Sequence, residues 1–338
     1  MNAIVLGHLH AQRGLVRRDQ ALAAGMTEVE IDRAVRTGHW VSVRRGVYAL
    51  QSTVADAVER GAKQRLLDDA ACLRIGRDHV RSHESAGLVL GMGLLLPSPC
   101  LTHVTRSTVH GSRHEFGVKH HVAPYAPGDV VEVDGVRCLG IARTAADIAR
   151  VHGHPYGVVA FDSALRMGVS LAQLEAVLET MPCWPRIRTA RAELELADAG
   201  AESVHETMAR MLVIELGRGR PETQFGLTDG SREVWCDLRL DRHVFEPDGA
   251  IKYRPPTAGG VATKPPEEVL WDEKRRQDFI TGFKLGTSRI VWSDYWGTAR
   301  ERARARLDRE YRDTCRRFGT DISDLAPYRI VGARRRAA

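Results

Sequence analysis

The sequence is poor in the features that tie a chain to a membrane or to a disulfide scaffold. No apolar run approaches the ~18–20 residues of a membrane span. The richest stretch, residues 88–96, is short and broken by Gly91 and Gly93. Residues 1–14 lack the basic segment followed by a long apolar one that marks a secretory leader. The six cysteines, Cys72, Cys100, Cys138, Cys183, Cys236 and Cys315, are scattered and form no CxxC pair. They read as reduced thiols, not as a disulfide framework. Aromatic residues are sparse, at 6%. These absences point to the cytoplasm and to no membrane partner.

What is present is ordinary in kind and uneven in placing. Hydrophobic residues make up 43% and charged residues 27% of 338, which suits a globular protein of two or three domains. Cores of that size need no metal or disulfide to hold them. The net charge of +6 fits a nucleic-acid partner without requiring one. Arginine clusters at Arg17-Arg18, Arg44-Arg45, Arg275-Arg276 and through the last forty or so residues.

Residues 1–50 carry punctuation for three helices and a hairpin. A first helix over 2–12 stops at Gly14, and a second is expected over 16–24, ending at Gly25. Thr27 with Glu30 three residues on is a capping box for a third helix, which carries Ile31, Ala34 and Val35 and stops at Gly38. Two short strands, 39–43 and 47–50, flank a turn at Arg44-Arg45-Gly46. This is the order of a winged helix-turn-helix, whose third helix enters the major groove while the hairpin touches the backbone. Candidate DNA contacts are Arg17, Arg18, Arg33, Arg36, Arg44 and Arg45. Acidic Glu28, Glu30 and Asp32 share the third helix and repel phosphate, so a winged helix used for protein contact is the alternative. Gly14-Leu15, Gln20 through Gly25, Gly38-His39-Trp40-Val41 and Arg44 through Ala49 resemble the winged helix of AbiEi-like antitoxins.

Residues 51–198 read as a mixed α/β region. A helix is expected over 54–75, strands over 101–105, 118–122, 129–133 and 136–139, and helices over 144–151, 158–167 and 171–179. The stretches Ser82-His83-Glu84-Ser85-Ala86, Glu132-Val133-Asp134-Gly135, Ala142 through Asp147 and Asp162 through Arg166 also resemble AbiEi-like proteins. The region would connect or dimerise. Histidines are dense here: His103, His110, His114, His120 and His121. Adjacent His120 and His121 point to opposite faces of a strand. Surface or hydrogen-bonded histidines are therefore expected ahead of a zinc site.

Residues 199–298 change pattern. A helix over 202–212 carries Glu206, a strand over 233–240 carries Asp237, and Glu246 and Asp248 lie two apart in a further strand, hence on one side. Carboxylates so placed can hold Mg2+, which polarises a phosphodiester and activates water. Lys252, or Lys274 on a charged helix over 267–279, could stabilise charge at the scissile phosphate. Pro247, between the two carboxylates, is disfavoured in a central strand. Glu202 through Glu206, Cys236-Asp237-Leu238, Glu246-Pro247-Asp248-Gly249 with Lys252-Tyr253, Glu273 through Arg276 with Asp278, and Val291 through Asp294 resemble the Vsr-like branch of the PD-(D/E)XK nucleases. That resemblance implies a restriction-endonuclease-like domain with Glu206, Asp237, Glu246, Asp248, Lys252 and Lys274 as catalytic candidates. Asp237, Glu246 and Asp248 would hold the metal. Residues 299–338 read as an arginine-dense helix, salt-bridged on its solvent face, and a basic tail.

The expectation is thus an α+β or α/β multidomain chain: a DNA-binding repressor of the antitoxin type, in a type IV-like toxin–antitoxin or phage-defence system. It would bind double-stranded DNA, as a homodimer or cooperatively, with a nucleotidyltransferase-type toxin as partner. The alternatives are a Mg2+-dependent endonuclease targeted by the winged helix and a protein-interaction scaffold.

Overall fold

The computed structural model describes residues 2–107, 111–248, 266–330 and 332. They form two compact units, Met1–Leu196 and Ala197–Ala338. The first unit holds both the winged helix and the mixed α/β region.

The first unit opens with α1 (Ala3–Ala11), β1 (Leu15–Arg17), α2 (Arg18–Ala23), α3 (Glu28–Arg36), β2 (Trp40–Arg44) and β3 (Val47–Leu50). The three strands make one antiparallel sheet in the order β1-β3-β2. The helix expected over 16–24 begins only at Arg18. Gly14, at φ +80°, turns the chain out of α1, and Leu15 to Arg17 pair with Ala49 to Val47. Leu15 and Val16 thereby bury completely on opposite faces of the sheet. The Arg17 N–H, left over at the strand end, donates to Gln20 Oε1 at 3.0 Å. The Thr27 capping box forms as the sequence indicates: Glu30 N–H donates to Thr27 Oγ1 and Thr27 N–H to Glu30 Oε2. Val5, Leu9, Val16, Ile31, Trp40 and Tyr48 pack into one core, with the Trp40 and Tyr48 rings stacked at 5.6 Å.

The chain continues through α4 (Gln51–Asp56) and α5 (Arg60–Cys72), so the helix expected over 54–75 is interrupted after Asp56. Next come β4 (Val80–Arg81), α6 (His83–Leu90), β5 (Thr102–Arg106), β6 (Arg113–Glu115), β7 (Val118–Val122), β8 (Val130–Val133) and β9 (Val136–Leu139). These strands form a mixed sheet in the order β6-β7-β5-β4-β9-β8, with β5 parallel to β7 and β4 parallel to β9. The helices α7 (Ile141–His152), α8 (Tyr156–Arg166), α9 (Leu171–Glu179) and α10 (Ile187–Glu195) complete the unit. The amphipathic α7 buries Ala145, Ala146, Ile148 and Ala149, and its Asp147 holds Arg143 and Arg150, each at 2.9 Å.

The second unit contains α11 (Val204–Ile214), β10 (Glu222–Thr228), β11 (Glu233–Leu240), β12 (His243–Pro247), α12 (Pro266–Gly282), β13 (Gly286–Ile290) and α13 (Gly297–Phe318). Its sheet runs β10-β11-β12-β13, antiparallel except for the last pair, which is parallel. Burial in β11 alternates, with Val234, Cys236, Leu238 and Leu240 inside. Pro247 is accommodated because it ends its strand. The Asp248 N–H donates to Ile290 O on β13, so the Pro247 nitrogen faces the β11 side, where pairing stops at Leu238–Phe245. The long α13 buries Ala303, Leu307, Tyr311 and Thr314 at helical spacing. Its arginines pair outward, among them Arg306 with Asp294 and Glu310, Arg312 with Asp308, and Arg317 with Asp313.

Candidate functional site

The acidic residues of α3 are occupied within the winged helix. Arg18, on α2, reaches Glu28 at 3.1 Å and Asp32 at 3.4 Å, and also meets the Tyr48 hydroxyl at 3.3 Å. Glu30 is held by the Thr27 cap, which keeps its carboxyl below the usual carboxylate range. The local repulsion toward phosphate is thus partly neutralised from inside. Arg33 and Arg36 stand exposed on the same helix, outside the ion pairs of the described residues.

The two wing arginines separate. Arg45 is exposed at the turn. Arg44 points the other way and donates to Leu67 O at 3.1 Å, Phe116 O at 2.7 Å and Thr102 Oγ1 at 3.0 Å. Thr102 Oγ1 in turn donates to Asp68, which also accepts from Gln64, each at 2.8 Å. Burial lifts the Asp68 carboxyl to about 6. Arg44 therefore fastens the wing to β5 and to the β6–β7 turn. Arg17 is used locally, on Asp19 and Leu73 O.

Under the wing lies a cavity of about 680 Å³ lined by Arg44, Arg45, Arg74, Arg77, Arg106 and Arg113. Glu115, also in the lining, answers Arg113 at 3.3 Å. Arg106 is buried, and burial together with the nearby Arg113 and Arg77 lowers its pKa. This concentration of cations was not legible in the sequence, where the arginines are spread over seventy residues on separate elements.

A second cluster lies on the same sheet. His103 on β5 and His121 on β7 share a face, because the parallel register sets Thr105 beside His121. His83, the first residue of α6, closes on both, with ring centroids 4.9 Å from His103 and 3.9 Å from His121. Burial holds all three imidazoles below their ordinary pKa, His121 at about 3. His120 indeed faces the other way, against Arg106 at 3.2 Å. The sequence reading missed this convergence. The signal available was His83 in the Ser-His-Glu-Ser-Ala stretch together with two histidines on neighbouring strands.

In the second unit, the β11–β12 register sets Asp237 next to Glu246, one step beyond the Leu238–Phe245 pair. Glu206, near the start of α11, accepts from Glu202 N–H, Ser203 Oγ and Gln224 Nε2. Burial raises its pKa, and the Asp237 charge adds to the rise. Arg276 donates to Glu246 at 2.9 Å, and Arg289 bridges Asp248 and Glu273 at 2.9 and 2.8 Å. A Mg2+ ion bound here would compete with both arginines for their carboxylates. Lys274 lies on an exposed face of α12 beside Trp271, with its ammonium 5.9 Å from the ring centroid. Lys252 lies outside the described residues.

Residues 7–51 match the family described as "Transcriptional regulator, AbiEi antitoxin". Two Mycobacterium tuberculosis proteins, "Uncharacterized protein MT2308" of strain CDC 1551 / Oshkosh and "Uncharacterized protein Rv2248" of strain H37Rv, are each 32% identical over 104 residues. The match covers 30% of this chain and spans 38% of the length of those relatives. No helix among the described residues is long and apolar enough to cross a membrane.

Proposed function

We propose that this protein is a DNA-binding transcriptional regulator of the antitoxin type, acting on double-stranded DNA in the cytoplasm. The observation that carries the reading is the charge arrangement on α3. Its acids are held by Arg18 and by the helix cap, leaving Arg33 and Arg36 on the exposed surface, with Arg45 at the wing turn. The family match over the same residues supports it. Bases would be read by α3 and phosphates by Arg33, Arg36 and Arg45. Inverted-repeat operators bound by a homodimer, and a nucleotidyltransferase-type toxin as partner, complete the proposal.

The test is a mobility-shift assay on the DNA upstream of the protein's own coding region, against a scrambled duplex. Specific binding that Arg33→Ala and Arg36→Ala each weaken supports a regulator. Equal affinity for both duplexes, or none at low salt, sinks it and favours a protein-interaction role.

A second reading, a Mg2+-dependent endonuclease, is supported by the β11–β12 register that brings Asp237 toward Glu246 and by the effect of the Asp237 charge on Glu206. In that reading the carboxylates would hold the metal, and the metal would supply a polarised phosphoryl group and an activated water. Plasmid nicking that needs Mg2+ and is lost in Asp237→Ala supports it. Binding without nicking leaves the regulator alone.

A further inference from the structure

We propose that His83, His103 and His121 form a binding site for a divalent transition-metal ion of the Zn2+ class. Three imidazoles from three separate elements bring one ligand nitrogen each to within 4.8 Å of one another. His103 Nδ1 and His121 Nε2 are already 2.9 Å apart. A tetrahedral ion with metal–nitrogen bonds of ~2.0–2.1 Å separates its ligand nitrogens by roughly 3.3 Å. Small ring rotations therefore convert the cluster into three corners of a tetrahedron.

The groups behind these rings are those a metal site needs. With Nδ1 of His103 turned to the cluster, its Nε2 lies 3.5 Å from Glu84 Oε2, a carboxylate fully removed from solvent. A carboxylate on the far nitrogen fixes the ring's tautomer and raises its basicity as a ligand. Glu84 is itself held, with Oε1 2.7 Å from His152 Nε2. His83 Nδ1 lies 3.0 Å from Ser82 Oγ, which accepts from Thr105 Oγ1 at 2.8 Å, leaving the other His83 nitrogen for the cluster. His83 and His103 are buried while His121 is half-buried, so solvent, and with it a fourth ligand, can reach the site from the His121 side.

The donor set selects the ion. Three nitrogens with no carboxylate oxygen among them suit Zn2+, Co2+, Ni2+ or Cu2+ and disfavour Mg2+ and Ca2+. Three protein ligands with an open fourth position is the composition of a site that keeps a water or exchanges a ligand. The site is independent of the acidic residues of the second unit and of the proposed DNA contacts.

The experiment is a Co2+ titration of the full-length chelator-treated protein, followed by visible absorption and then by displacement with Zn2+. The expected result is the intense visible band of four-coordinate Co2+, saturating at one equivalent and abolished by one equivalent of Zn2+. His121→Gln should eliminate the band, Glu84→Gln should weaken affinity 10–100-fold, and His120→Gln, on the opposite face of the same strand, should change nothing. Absence of the band in the wild type, or a His121→Gln protein that binds as tightly, overturns the site. Circular dichroism checks that each variant folds. X-ray absorption of the Co2+-loaded wild type decides without any variant: imidazole nitrogens support the proposal, and cysteine sulfur or an all-oxygen shell refutes it.

Discussion

The separation of the winged-helix arginines into exposed and inward-turned groups has a measurable counterpart in the salt dependence of DNA binding. Each phosphate neutralised on duplex DNA contributes about −0.9 to the slope of log affinity against log salt. Three exposed arginines, Arg33, Arg36 and Arg45, then give a slope of about −2.7 per protomer. Raising salt from 50 to 200 mM should weaken binding roughly 40-fold per protomer. Arg33→Ala should bring the slope to about −1.8, and the same salt step should then cost only about 12-fold. Arg44→Ala is the decisive comparison. Its guanidinium donates to Leu67 O, Phe116 O and Thr102 Oγ1, so its loss should lower stability and leave the slope unchanged. Fluorescence anisotropy at four salt concentrations measures both. If Arg44→Ala flattens the slope as much as Arg33→Ala does, Arg44 leaves its protein partners for phosphate, and the division drawn here is wrong.

Three further outcomes follow from the packing and the ion pairs. Gly14→Ala should destabilise the first unit by about 2–4 kcal/mol, because the residue sits at φ +80° and an added Cβ would lie 2.2 Å from Thr53 Oγ1. A Gly14→Ala/Thr53→Ala protein should recover the steric part in urea unfolding, and failure to recover any refutes the contact. Asp68, raised to about 6 from an ordinary 3.8, contributes stability that is present below pH ~4 and lost as pH rises through 6. A two-unit shift corresponds to about 3 kcal/mol as an upper bound. Asp68→Asn should lack that decline, and urea curves for the two proteins that run parallel from pH 4.5 to 7.5 would count against it. Arg276→Ala removes the guanidinium that donates to Glu246 at 2.9 Å and should cost about 2 kcal/mol, the worth of a charge-assisted hydrogen bond. Added Mg2+ should then raise the melting temperature of the variant more than that of the wild type, and an equal rise in both contradicts the crowding of carboxylates argued above.

How far the sequence spoke depended on whether the deciding contact was local. The Thr27–Glu30 box sits within four residues of chain, and α3 begins where that box says. The alternation in residues 233–240 likewise marked β11 to the residue, and the arginine-dense helix at the end paired outward as its interleaved acids indicated. Val16 and Arg17 look helical in the sequence because nothing breaks the chain between them and Arg18. Only pairing with Val47–Ala49, thirty residues later, makes them extended. Charge told even less about direction. Arg44 and Arg45 are neighbours in the same basic turn, yet one faces solvent and the other turns toward the middle of the unit. The histidine cluster depends on a parallel register that pairs residues sixteen apart and on a helix start that precedes both. No periodicity in one dimension encodes that meeting. In the second unit, Glu246 and Asp248 are held by Arg276 and Arg289, which lie thirty and forty-one residues further along the chain, and no local pattern announces those pairings.

The three-stranded sheet of the winged helix has two sides with different owners. One side, through Val16, Trp40 and Tyr48, covers α1, α2 and α3. The other, through Leu15, Val47 and Ala49, is covered by Ala70 with Val54, Leu66 and Leu73, all of which lie beyond residue 51 where the family match ends. A fragment cut at that boundary would present a bare apolar face to water. The segment recognised as a module by its sequence is therefore not a module in the physical sense. Transplanting it onto another protein would require carrying α4 and α5 along, or supplying a new greasy surface of the same shape.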